Sequence, residues 1–129
     1  MSTITIEATE RSPAITFDYQ TNVFLVKGES YPEDVTAFYG PLIDKLEPHL
    51  RSLESSSVSF IFDLIYFNSS TAKVLMGLFD MLDEVAGKGN DVTVAWHYEE
   101  GDQNMQELGE EFGEDFENAV FVLKEIPIP

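Results

Sequence analysis

Period-two alternation marks the middle of the chain. Val58, Phe60, Phe62 and Leu64 alternate with Ser59, Ile61, Asp63 and Ile65, so apolar side chains occupy most of both faces, the pattern of a buried strand. Directly afterwards the period changes. Val74, Leu75, Leu78, Phe79, Leu82 and Val85 recur at helical spacing as one stripe, with Lys73, Gly77, Asp80 and Glu84 opposite and Met76 nearer the exposed side. Strand and helix meet in Tyr66-Phe67-Asn68-Ser69-Ser70-Thr71-Ala72-Lys73, which holds three consecutive hydroxyls. Such side chains accept hydrogen bonds from the unpaired N–H groups of a first helical turn, and capping is their ordinary role. The same place favours added negative charge, so a hydroxyl exposed here can carry a phosphate at little structural cost.

The same periodicities predict the other elements. Ile15 and Phe17 mark one strand and Val23 to Lys27 its hairpin neighbour, with Asp18 to Asn22 as the turn and Gly28 as the end. Residues 1–11, with Ile4 and Ile6 alternating, read as an arm or a short strand. Ser30-Tyr31-Pro32-Glu33 reads as a capping box, opening a helix through Val35, Phe38, Leu42, Leu46 and Leu50 that Gly40-Pro41 should kink or divide. Gly87-Lys88-Gly89-Asn90 stops the second helix, and Val92, Val94 and Trp96 follow as a strand. Beyond the acidic turn Glu99 to Asp102, Met105, Leu108, Phe112 and Phe116 predict a third, shorter helix interrupted by Gly109 and Gly113, and Val120 and Val122 a last strand.

This order predicts one α/β domain over 1–129, a mixed sheet of about five strands with helices packed on it. The strands on either side of the second helix should be parallel neighbours through a right-handed crossover. The hydroxyl cluster would then stand at the C-terminal end of a central strand, where open α/β sheets present functional groups.

Composition narrows the function. A chain of 129 residues with 43% apolar residues and ten Phe supports a packed core rather than disorder. With no Cys, disulfides, thiolate metal sites and cysteine nucleophiles are all excluded. Met1 to Glu10 lacks the features of a signal peptide, and no apolar run approaches the roughly 20 residues of a membrane span. A soluble, cytoplasmic domain is expected. The net charge of −17 argues against nucleic-acid and anionic-membrane roles and suits a partner with a basic docking face.

No convergent catalytic set is visible, so an enzyme, a cofactor or a metal is not expected. His49 and His97 lack surrounding motifs, and Glu107, Glu110, Glu111, Glu114, Asp115 and Glu117 read as a solvated helix face rather than a cation loop. Asp63, inside an apolar strand, is expected to bond a neighbouring loop or to lie at a sheet edge. Matches to a glycosylation sequon at Asn68 and to Ser-x-x-Lys at Ser70 are set aside.

A family resemblance rests on Ser12-Pro13-Ala14-Ile15, Gly28-Glu29-Ser30-Tyr31-Pro32-Glu33 and the junction from Tyr66 to Lys73, followed by Leu78-Phe79-Asp80-Met81-Leu82. The strand, short Asn-Ser turn and helix look like the STAS or anti-sigma-factor-antagonist domain, and more closely like the SiaC family of bacterial regulatory phosphoproteins. That resemblance implies a partner-switching protein. A cognate Ser/Thr kinase would phosphorylate it, a PP2C-type phosphatase would reverse this, and the unmodified form would bind and activate a diguanylate cyclase in c-di-GMP signalling. The family acceptor is the hydroxyl residue directly after the Asn, here Ser69. Where members carry Thr, this chain has Ser and sets its Thr at Thr71, so Ser70 and Thr71 stand as alternatives. Asn68, Ser69, Ser70, Thr71, Lys73, Met76, Gly77 and Asp80 form the expected partner face. Two other readings stay open: a constitutive scaffold domain, and a small-molecule binder or hydrolase using His97 and the acidic turn.

Overall fold

The computed structural model describes residues 3–128; Met1, Ser2 and Pro129, at the ends of the expected domain, lie outside the described residues. Six strands and three helices follow one another as β1 (Thr3–Ile6), β2 (Ala14–Asp18), β3 (Val23–Ser30), α1 (Val35–Arg51), β4 (Ser57–Phe67), α2 (Ser69–Gly87), β5 (Asp91–Glu99), α3 (Gln103–Glu114) and β6 (Val120–Ile126). They build one sheet in which the strands lie in sequence order. The pairs β1–β2 and β2–β3 are antiparallel; β3–β4, β4–β5 and β5–β6 are parallel. The mixed α/β class holds, with β1 as a sixth strand built from the ambiguous N-terminal residues.

Each helix carries the chain to the next strand in the same direction. Right-handed crossovers of that kind place all three helices on one side of the sheet. Val58, Phe60, Phe62 and Leu64 are accordingly buried beneath them, while on the other face Ile61 is half-buried and Ile65 is exposed. The expectation of a strand covered on both faces is therefore corrected: this sheet has an open side. Stacked Phe24, Phe60 and Phe62 lead into Trp96 across the core, meeting Leu42, Leu46, Leu75, Leu78 and Leu82 from the helices. Burial of each such side chain contributes about 1.5–3 kcal/mol.

Several boundaries differ from expectation. Asp34, not Ser30, caps α1, accepting from the Ala37 amide at 3.0 Å. The helix then runs as one element through Pro41 and Pro48, since its amphipathic packing outweighs the lost bonds. α3 is likewise unbroken, because its glycines serve close packing instead: a Cβ on Gly109 would lie 2.4 Å from Trp96 Cδ1. Gly28 does not end β3. Its φ of +123° accompanies a bulge, after which Glu29 pairs with Tyr66 and Ser30 with Phe67. This shift brings Ser30 alongside the start of α2.

Candidate functional site: the switch turn and the exposed face of α2

β4 extends through Tyr66 and Phe67, so the turn into α2 is a single residue, Asn68. Phe67 anchors the strand end against Trp96 and Phe112. Asn68 is extended, and its side-chain oxygen accepts from the Thr71 amide at 2.9 Å. Its own amide donates to the Ser30 carbonyl at 3.1 Å, and its carbonyl accepts the first helical bond from Ala72. The cap read from the sequence is present, and β3 holds it in place.

The three hydroxyls occupy two environments. Ser69 and Ser70 are exposed, whereas Thr71 is fully buried. Thr71 Oγ1 donates to the Ser30 carbonyl at 3.0 Å. A hydroxyl has one proton to give, so Thr71 accepts in its 2.9 Å contact with Ser30 Oγ. Ser30 must then accept from the Tyr39 hydroxyl at 2.6 Å. Burial raises the Tyr39 pKa, against a smaller opposing effect of the Ser30 bond, and keeps this donor protonated. The chain Tyr39, Ser30, Thr71 is thus directional and joins α1, β3 and α2.

Ser69 begins a different stripe. Lys73, Met76, Gly77, Asp80 and Glu84 continue along α2 on its exposed side, and 54% of Met76 is accessible. No acidic residue occupies the first turn of α2. Its unpaired amides and the helix dipole can therefore receive a phosphate on Ser69 or Ser70 without an adjacent carboxylate in that turn. Exposed Ile65 and Tyr66 precede the turn, with Tyr31 edge-on to Tyr66 and the Arg11 guanidinium 5.9 Å above the Tyr31 ring. Tyr31 and Arg11 were missed as neighbours of the turn because they come from separate segments.

Further along, α2, the end of α3 and residues 115–117 border an open cleft of about 340 Å³ lined by Met76, Phe79, Asp80, Asp83, Glu84, Phe112, Asp115, Phe116 and Glu117. Asp83 builds one wall. Its carboxylate accepts from the amides of Asn118 at 2.8 Å, Ala119 at 2.9 Å and Glu117 at 3.3 Å. Partial burial pushes this carboxyl up, but the amide bonds outweigh burial and hold its pKa below the ordinary aspartate value. Asp115 and Glu117, grouped in the sequence with a solvated helix face, lie at this cleft; Glu107, Glu110, Glu111 and Glu114 are exposed.

The remaining titratable candidates stand apart. Asp63 is neither at an edge nor bonded to a loop: it pairs in register with His97 on the open sheet face, its Oδ2 3.6 Å from His97 Nδ1. His49 donates from Nε2 to Asn22 Oδ1 at 2.7 Å, fastening α1 to the β2–β3 turn. Asp102 caps α3 through the Met105 amide. Among the described residues, no group of three or more His, Asp or Glu is placed to hold a metal ion, and no helix is long and apolar enough to cross a membrane.

Comparison with known proteins gives these features a setting. An uncharacterized protein of Pseudomonas aeruginosa (strain UCBPP-PA14) is 35% identical over 115 residues, 89% of this chain and 90% of that protein. The crystal structure of apo-SiaC from Pseudomonas aeruginosa matches with a TM-score of 0.85 at 34% identity, covering 96% of this chain and 99% of that one. A chain in the crystal structure of diguanylate cyclase SiaD in complex with its activator SiaC, from the same species, matches with a TM-score of 0.84 at 31% identity, over 94% and 99%. The family model for SiaC family regulatory phosphoproteins matches residues 6–126, and this chain belongs to that family.

Proposed function

We propose that this protein is a non-enzymatic signalling switch, active in the cytoplasm, whose state is set by phosphorylation of Ser69. Unmodified, it binds a diguanylate cyclase through the exposed face of α2 and activates it. A Ser/Thr kinase adds the phosphate and a PP2C-type phosphatase removes it. The observation that carries this reading is the division of the three hydroxyls. Thr71 is locked in a buried chain, while Ser69 is exposed and heads the stripe that continues through Lys73, Met76 and Asp80. Ser70, also exposed, is the alternative acceptor. The cyclase partner is supported by the likeness to SiaC in its complex with SiaD.

The off-state follows from solvation. A phosphate adds about −1.5 to −2 charges and a tightly held water shell. Ser69 heads the α2 face that the partner covers, so docking there must strip that shell, which costs binding free energy. Ser69 is exposed in the first turn, so its modification leaves the core unchanged.

The test uses purified kinase, ATP and cyclase. Mass spectrometry should find one phosphate, on Ser69, that Ser69→Ala abolishes. Ser69→Asp should remain folded yet lose cyclase activation. Phosphate on Thr71 or outside residues 69–71 would overturn the site, and full activation by Ser69→Asp would overturn the mechanism. A constitutive scaffold predicts equal behaviour of wild type and Ser69→Ala with kinase and phosphatase present.

A further inference from the structure

We infer that the cleft between α2 and α3 is a second part of the docking face, and that it receives an amphipathic helix of the partner protein whose apolar side chain is flanked by Lys or Arg. The inference rests on the reading of α2 as the docking helix and adds the chemistry of what docks. Phe79, Phe112 and Phe116 line the cleft with aromatic surface, and unbranched, polarizable Met76 stands exposed at it. Helix-lined grooves of this kind take one large apolar side chain per turn of a bound helix. The stretch of α2 from Met76 to Glu84 spans about 12 Å at 1.5 Å per residue, room for two turns.

Charge selects the occupant. Five carboxylates line this cleft: Asp80, Asp83, Glu84, Asp115 and Glu117. Two are already engaged, Glu84 with Arg51 at 3.1 Å and Asp83 with the backbone amides of 117–119. Among the described residues no ion pair involves Asp80, Asp115 or Glu117. Three uncompensated charges around an aromatic floor favour cations on the arriving helix. A second copy of this chain is a poor occupant, since it brings seven basic residues against twenty-four acidic ones. The arrangement also separates docking from switching. Asp80 lies eleven residues beyond Ser69, about 16 Å along the helix. That exceeds the screening length of about 8 Å, so phosphate on Ser69 acts on the head of the face and leaves the acidic cleft unaltered.

The probe is a fluorescent synthetic helical peptide with a Leu stripe flanked by Lys and Arg, compared with one in which Glu replaces every cation. Anisotropy titration of the full chain should show binding of the basic peptide, weakened by salt, and none of the acidic one. The triple variant Asp80→Asn, Asp115→Asn, Glu117→Gln should raise Kd about tenfold, each exposed pair being worth roughly a 1.4- to 5-fold factor. A control triple on the outer edge of α3, Glu107→Gln, Glu110→Gln, Glu111→Gln, should change it less than twofold. Equal loss in both triples would reduce the effect to general acidity and overturn the inference, as would absence of binding. Cyclase activation separates the two proposals. If Ser69→Asp blocks it and the cleft triple does not, the cleft assignment falls and the switch stands; if the cleft triple blocks it and Ser69→Asp does not, the switch falls alone.

Discussion

Thr71 Oγ1 donates to the main-chain carbonyl of Ser30 at 3.0 Å, tying α2 to β3 across forty-one residues of sequence. The same carbonyl accepts from Asn68, so one backbone group of β3 holds both the cap residue and the third residue of the helix. Thr71→Val keeps the shape but leaves the fully buried Ser30 hydroxyl without its acceptor. A loss of about 1–3 kcal/mol is expected in urea unfolding. Ser69→Ala, at an exposed position in the same turn, should change stability by less than about 0.5 kcal/mol. If the two variants unfold alike, the division between structural and modifiable hydroxyls is wrong.

Two helical glycines should respond to alanine with opposite signs. A Cβ at Gly109 would lie 2.4 Å from Trp96 Cδ1 and 2.9 Å from Leu123 Cδ2. Trp96 cannot easily retreat, because its Nε1 donates to the Met105 carbonyl at 3.0 Å. Gly109→Ala should therefore cost about 1–3 kcal/mol. Nothing lies within 4 Å of a Cβ at Gly77, where Ala should add about 0.5–1 kcal/mol by restricting the unfolded chain. Thermal unfolding of both variants reads the contrast directly.

The elements follow from local periodicity, and most were legible in the sequence. Thr71 was legible too: extending Leu82, Leu78 and Leu75 back one turn lands on it, which puts its hydroxyl on the buried stripe. What periodicity could not supply was layering. Ile61 and Ile65 suggest cover on both faces, but only the direction of three successive crossovers shows that one face stays open. Ser30 misled for a related reason. As Ser-x-x-Glu it resembles a cap, while a bulge at Gly28 turns it toward Tyr39 and Thr71 instead. The cleft was hidden because Phe112 and Phe116 meet Phe79 of α2 only through tertiary packing.

His49 should make stability depend on pH near neutrality. Burial holds its pKa below the ordinary histidine value. The unfolded chain therefore takes up the proton first, near pH 6.5, and stability falls as pH drops below that point. The dependence should level off once the folded form is also protonated. Replacing His49 by Gln, which can still donate toward Asn22, should flatten the stability curve between pH 7 and 5. Urea midpoints across that range test it, and an unchanged slope would assign the effect to other groups.

Asp83 controls the wall of the cleft, and its signature lies at lower pH. Its carboxyl is held below the ordinary aspartate value because three amide donors outweigh the opposing effect of burial. The sign follows: the stabilisation is complete above the unfolded aspartate pKa of about 4 and is lost as pH falls through the lower folded value. Asp83→Asn keeps an acceptor oxygen but loses the charge that strengthens these bonds, so the 115–119 segment should open more often. Hydrogen exchange at the Asn118 and Ala119 amides should accelerate at least several-fold, while the Thr71 amide, bonded to Asn68 at 2.9 Å, keeps its protection. The same variant should bind the basic helical peptide more weakly without altering phosphate transfer to Ser69. Uniform acceleration across all amides would instead mean that Asp83 supports global stability and that the wall has no independent opening.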